Sequence, residues 1–304
     1  MLRRLAHWFW QQAYLLLPLT FLCWAINIVI GRAVAGHIPP VALAQVRWIG
    51  ASAIVTSLAW RHLGRDWPVI RQNVGLLLAL AASGIGVYNT LAYAALQYTE
   101  ALNGLLVQSA FPLVIGLWSF LLFRDRLTWS QIVGIVLSLS GVVVIVCRGD
   151  LALLAMLTLN RGDVLMLIAV GSYALYSTLL KIRPPIHPLS LLSVVMIAGA
   201  AMILPFWFWE ISTGYVMQAT PTTLAVLAFI IVFPSSLAYL MFNRGVELIG
   251  PNRSGPFFHL LPVFGSVLAM IFLGENLRWF HLAGYALILA GIVVAQRRTA
   301  PREA

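Results

Sequence analysis

Charged side chains are scarce along this chain: Asp, Glu, Lys and Arg together make up 9% of its 304 residues. A water-soluble domain carries about 25%, so there is too little polar surface to cover a globule in water. Acids are the scarcest of all. Asp66, Glu100, Asp125, Asp150, Asp163, Glu210, Glu247, Glu275 and Glu303 are the whole set, and all lie in loops, tails or at the ends of apolar runs. The two cysteines, Cys23 and Cys147, each sit inside an apolar run and give neither a disulfide frame nor a metal-ligand spacing. His37, His62 and Asp66 are scattered rather than clustered, which argues against a membrane-embedded enzyme. No Gly-rich phosphate loop followed by Lys-Ser/Thr is present. Neither cofactor nor metal is expected.

What remains is apolar: 61% hydrophobic residues and a mean hydropathy of +0.93. This material comes in runs of about 20 residues, the length a helix needs to cross roughly 30 Å of hydrocarbon. Ten such runs can be read, at 13–31, 40–60, 74–96, 101–123, 129–147, 162–180, 188–209, 221–243, 251–273 and 279–296. They are called spans 1 to 10 below. None alternates apolar and polar residues as a barrel strand does. The fold class expected is an all-α integral membrane protein.

The net charge of +10 follows the positive-inside rule. With the N-terminus in the cytoplasm, the inner segments hold Arg3, Arg4, Arg61, Arg65, Arg71, Arg124, Arg126, Lys181, Arg183, Arg244, Arg253, Arg297, Arg298 and Arg302. The outer segments hold Arg32, Arg148, Arg161 and Arg278. Both termini are therefore expected in the cytoplasm of a multi-pass inner (plasma) membrane protein. The basic face is expected to meet anionic lipid headgroups, and no nucleic-acid partner is expected. Two early arginines, an apolar run and the "AVA" at 33–35 imitate a cleaved leader. The run is too long for one and carries Asn27 and Arg32, so it reads as a retained span.

The chain repeats itself. "RDRLTWSQIVGIVLSLSG" at 124–141 and "GENLRWFHLAGYALILAG" at 274–291 align at an offset of 150, pairing Leu127 with Leu277, Trp129 with Trp279, Gly134 with Gly284 and Gly141 with Gly291. Nearer the start of each half an offset of 149 aligns Trp24 with Tyr173, Asn27 with Tyr176, Arg32 with Lys181 and Pro39 with Pro188. The first repeat is placed at 13–147 and the second at 162–296. Five spans per repeat is an odd number, so the second copy must enter the membrane inverted, around a central cavity. That plan is common among secondary transporters.

The half-ending pattern, "PVFGSVLAMIFLGENLRWFHLAGYALILAG" and more loosely "PLVIGLWSFLLFRDRLTWSQIVGIVLSLSG", resembles the paired domains of the ten-helix drug/metabolite transporter superfamily, EamA type, and within it the amino-acid exporters. The resemblance implies alternating-access export of a small molecule, with an amino acid as the cargo. It departs from the small multidrug exporters of the same fold, whose first span holds a carboxylate; the matching stripe here has Trp24 and Asn27. Cationic-drug/proton antiport by that chemistry is disfavoured. The alternative cargo is a nucleotide sugar or phosphorylated metabolite, but only Arg47 supplies a cation within a span.

Polar groups in hydrocarbon are costly and mark cavities or neighbouring helices. At helical spacing they single out Trp24 and Asn27, Tyr88, Asn89 and Tyr93, Gln108, Tyr173 and Tyr176, Tyr239, and His259 as substrate contacts. Being aromatic or amide and nearly uncharged, the set favours neutral or zwitterionic solutes, aromatic amino acids among them. Pro112 and Pro262 occupy equivalent places and are candidate hinges. Spans 5 and 10 carry small residues instead and are expected to pack at the periphery. The chain is expected to act as a monomer, with a homodimer as the alternative. Arg47 is expected to pair with Glu100, the other reading being a substrate carboxylate. Asp125 and Glu275 are expected to serve the helix starts that follow them, where Thr128 and Gln131 spell a capping box.

Overall fold

A computed structural model describes residues 2–33, 38–95, 98, 107–150, 152–155, 160–214, 216–273 and 276–297. Among them every regular element is helical. Nine helices are long and apolar enough to cross a membrane, and Phe111–Phe123, the described part of span 4, is a shorter apolar helix. Glu100 and Glu275 lie outside the described residues, as does the expected Arg47–Glu100 pair.

A short helix, Leu2–Trp10, precedes span 1 at Ala13–Ala33. Span 2 is Pro40–Gln72. It continues about three turns past the end expected from hydropathy, because hydropathy marks where hydrocarbon stops and the helical bonds go on into water. Span 8 likewise runs on to Ile249. Span 3 is Val74–Ala81, a π-helical stretch Ala82–Gly86, then Val87–Ala95. Span 8 has the same plan: Pro221–Ile230, a π-helical Ile231–Leu237, then Ala238–Ile249. Spans 5, 6, 7 and 10 are Trp129–Val146, Arg161–Leu179, Pro188–Ser212 and Trp279–Gln296. Span 9 is Pro251–Ser254, a 3-10 stretch Gly255–His259, then Leu260–Leu273.

The capping box before span 5 is present: the Gln131 N–H donates to Thr128 Oγ1 at 3.3 Å, and the Thr128 N–H donates to Gln131 Oε1 at 2.8 Å. Asp125 does not serve that helix start; its carboxylate pairs with Lys181 on the far repeat. Arg124 closes span 4 in the left-handed conformation, φ 60°. Its partner in the repeat is Gly274, the residue type that such a cap favours.

The halves interlock reciprocally. Span 1 packs on spans 8 and 9, and span 6 packs on spans 3 and 4. Spans 5 and 10 pack on each other along two glycine pairs. A Cβ on Gly134 would stand 2.5 Å from the Gly291 carbonyl oxygen, and one on Gly141 would stand 2.7 Å from that of Gly284. Residues seven apart on one helix meet residues seven apart in reverse order on the other, so the two run antiparallel, as inverted repeats require. The small residues are thus spent on an intramolecular seam. Spans 2 and 7 join through the Thr56 and Ser193 hydroxyls at 2.6 Å, and each lends an acid to the start of the other. Glu210 accepts from the Val41 and Ala42 N–H groups at 2.9 and 2.6 Å; Asp66 accepts from the His187 N–H at 2.9 Å. Each carboxylate satisfies orphan donors at a helix N-terminus.

Candidate functional site

Where the two repeats meet, aromatic rings fill the middle. Trp24 stands edge-on to Tyr173, its equivalent in the repeat, at 5.8 Å between centroids, and to Tyr239 at 5.8 Å. Tyr173 reaches Tyr176 at 5.2 Å and Tyr88 at 4.9 Å. Five of the expected contacts, Trp24, Tyr88, Tyr173, Tyr176 and Tyr239, therefore form one group. Phe21, Trp48, Phe111, Phe242 and Phe258 complete it, with Trp48 5.1 Å from Tyr239 and Phe111 4.2 Å from Phe258. The four phenylalanines escape a search for polar stripes because an apolar ring in a span reads as lipid-facing. Their spacing was a usable signal: Phe21 and Phe242 lie three residues from Trp24 and Tyr239, on the same helix faces.

The π-helical stretches of spans 3 and 8 begin 149 residues apart and free carbonyls from the usual ladder. The Trp24 Nε1–H donates to the Pro234 carbonyl at 3.0 Å. In the other half the Ser172 hydroxyl donates to the Ser83 carbonyl at 2.9 Å, and the Tyr239 hydroxyl to that of Gly84 at 3.0 Å. The Tyr176 hydroxyl donates to Asn243 Oδ1 at 2.6 Å. Among the described residues two polar tips stay buried without a partner at hydrogen-bond geometry, the Tyr173 hydroxyl and the Trp48 Nε1–H. A buried unsatisfied group calls for an explanation.

Arg47 borders this group. It is 5% exposed. Its Nε donates to the Ser235 hydroxyl at 2.6 Å, and its guanidinium lies 4.7 Å from the Trp48 ring centroid. Among the described residues no carboxylate lies within ion-pair distance of it.

His259 is 1% exposed and turns toward span 5, where Nδ1 meets the Ser138 hydroxyl at 2.6 Å and Nε2 meets the Ser109 carbonyl at 2.9 Å. A carbonyl only accepts, so Nε2 carries a proton toward Ser109; the Ser138 hydroxyl also donates to the Gly134 carbonyl of its own helix at 2.8 Å. Ser109 is the residue 150 positions earlier, so this bond joins equivalent points of the two repeats. Gln108 shares with His259 a void of about 10 Å³, room for a single water. Asn89 donates to the Ile85 carbonyl of its own helix at 2.8 Å. Asn27 is half-buried. The side chain of Tyr93 lies outside the described ones. Pro112 and Pro262 each stand in the first turn of a fresh helical segment. Each follows an irregular stretch, a turn at 109–110 and the 3-10 stretch Gly255–His259. The missing N–H and the ring's clash with the carbonyl four residues back produce such a break.

Two antiparallel helix sets, joined at paired π-helical stretches around an aromatic centre, are a double-repeat membrane architecture. The EamA-like transporter family model matches residues 11–147 and again 160–296. The chain belongs to the EamA-like transporter family. An uncharacterized transporter of Bacillus subtilis (strain 168), YyaM, is 24% identical over 267 residues, covering 88% of this chain and 87% of that one. An uncharacterized transporter of Archaeoglobus fulgidus is 26% identical, covering 93% and 96%. A "Probable amino-acid metabolite efflux pump" of Salmonella typhimurium is 25% identical, covering 91% and 92%. A crystal structure of a protein superposes with a TM-score of 0.71 at 19% identity, covering 93% of this chain and 96% of the other, which shows the fold. Family and relatives carry transporter names, and this EamA-like chain is a membrane transporter rather than an enzyme.

In this EamA-like protein His259 links span 9 to span 5 and to the turn at Ser109. His259→Ala is expected to lower the thermal midpoint by about 5 °C, since it removes two buried hydrogen bonds and leaves a void. Flux and its pH profile should stay as in the wild type. A shifted pH profile would return His259 to the mechanism.

Proposed function

We propose that the chain exports small neutral or zwitterionic metabolites, amino acids including aromatic ones, from the cytoplasm across the inner membrane by alternating access. The observation that carries this is the buried Arg47, a cation with no carboxylate partner among the described residues, at the edge of an aromatic cluster. A solute carboxylate would supply the missing partner, and the rings with the Tyr173 and Trp48 tips would receive the rest. One cation suits a single carboxylate better than the several charges of a nucleotide sugar or a phosphate ester. The efflux-pump name of the Salmonella relative points the same way. The arginine excess supports cytoplasmic termini.

Purified protein in liposomes, tested against a panel of labelled amino acids with and without an imposed proton gradient, checks this. Uptake of neutral and aromatic members should exceed that of empty liposomes several-fold. It should follow the solute gradient alone, because the first span has no carboxylate to carry a proton. No flux for any member would contradict the reading.

A further inference from the structure

A second, polar cavity of about 210 Å³ opens at the arginine-rich end of the bundle. Its lining includes Asp125, Gln131, Lys181, Asn252 and Arg253, so it draws on the span 4–5 connection, span 5 and the neighbouring ends of spans 6 and 9. It is smaller than the roughly 300–1,000 Å³ of drug-sized pockets. The cavity holds both signs of charge. Asp125 and Lys181 form an ion pair whose side chains are 38% and 42% exposed; a pair so open to water contributes little to folding and can exchange its partner for a ligand's charge. Arg253 has no ion-pair partner among the described residues, and the Asn252 amide oxygen is buried without a hydrogen bond.

We propose that this cavity is a loading site for a zwitterion: Asp125 and Asn252 accept from the ammonium group, while Arg253 and Lys181 donate to the carboxylate. The inference rests on the amino-acid reading above and adds a first stop on the way in. The site is placed for that task. Lys181 follows Tyr176 by five residues, and Ile249, on the cavity wall, follows Asn243 by six. At 1.5 Å per residue that is roughly 8 Å. The Tyr176–Asn243 hydrogen bond thus stands between the cavity and the aromatic centre. A purely anionic ligand such as a lipid phosphate would meet the Asp125 carboxylate, which favours the zwitterion.

The test uses full-length protein in liposomes of known orientation, with labelled phenylalanine offered from each face in turn. The variants are Asp125→Asn/Lys181→Gln and the charge swap Asp125→Lys/Lys181→Asp. In the neutralised variant, KM on the arginine-rich face should rise about tenfold at an unchanged maximal rate. On the opposite face the ratio of maximal rate to KM should fall by the same factor, as detailed balance requires of an uncoupled carrier. The charge swap, which keeps both signs in the cavity, should recover most of the loss. Unchanged constants overturn the proposal, as does a fall in maximal rate on both faces at constant KM, the mark of a folding defect. Loss of co-purified anionic lipid with both constants unchanged also overturns it and makes the cavity a headgroup site. If the wild type carries no amino acid, the amino-acid reading and the loading site fall together. If the wild type transports and the variants match it, the loading site falls alone.

Discussion

Arg47→Met is expected to abolish amino-acid flux while leaving the folded protein at least as stable as before. The two effects have opposite signs for one reason. Arg47 is buried, held by a neutral hydroxyl and a ring face and by no carboxylate among the described residues. Burying a charge carries a desolvation cost that a hydroxyl repays only in part. Methionine keeps the apolar stem, fills similar space and lets Ser235 keep its bond to the Ile230 carbonyl at 2.6 Å. The thermal midpoint should therefore hold or rise by a few degrees. Transport should fall about 100-fold or more in kcat/KM, because a solute carboxylate in a water-poor centre would lose its cation; such losses cost on the order of 2–5 kcal/mol. Arg47→Lys should recover part of it, since a point charge cannot reproduce the two-pronged guanidinium contact. If Arg47→Met unfolds the protein instead, the arginine is a structural tie and the carboxylate assignment loses its support.

The second large effect concerns the seam between spans 5 and 10. Gly134→Leu and Gly291→Leu are each expected to lower the thermal midpoint by about 5–10 °C and to cut the yield of monodisperse protein. At both sites the first atoms a Cβ would meet belong to backbone, at 2.5 Å, and backbone cannot move aside as a flexible side chain can. Gly171→Ala and Gly265→Ala serve as controls: nothing stands within 4 Å of a Cβ at either, and both should stay within about 2 °C of the parent. Should all four behave alike, the seam is looser than its geometry shows.

Much of this architecture could be read from sequence because the bilayer simplifies the problem. Hydrocarbon demands long apolar helices, and their ends were legible where charge or a capping box marks them, as at Thr128. The repeat was legible because the glycines of the seam must be glycine in both copies. The aromatic centre was half legible. Tyrosine and tryptophan announce themselves by a polar tip, whereas Phe21, Phe111, Phe242 and Phe258 carry no mark that separates a core ring from a lipid-facing one. The π-helical stretches were not legible, since an extra residue in a turn is decided by packing across the molecule; Pro234 was the one local hint. His259 shows the limit most clearly. Its chemistry would suit proton transfer, yet what decides its role is a serine 121 residues away and a carbonyl 150 residues away. The same holds for Asp125, whose partner is Lys181 rather than the helix beside it.

The most direct measurement is the structure of the protein with a labelled aromatic amino acid bound. The account predicts its carboxylate within hydrogen-bond distance of the Arg47 guanidinium and its ring among Trp24, Tyr173 and Tyr239. A solute seated away from those rings, with Arg47 still held on Ser235 and Trp48, would contradict it.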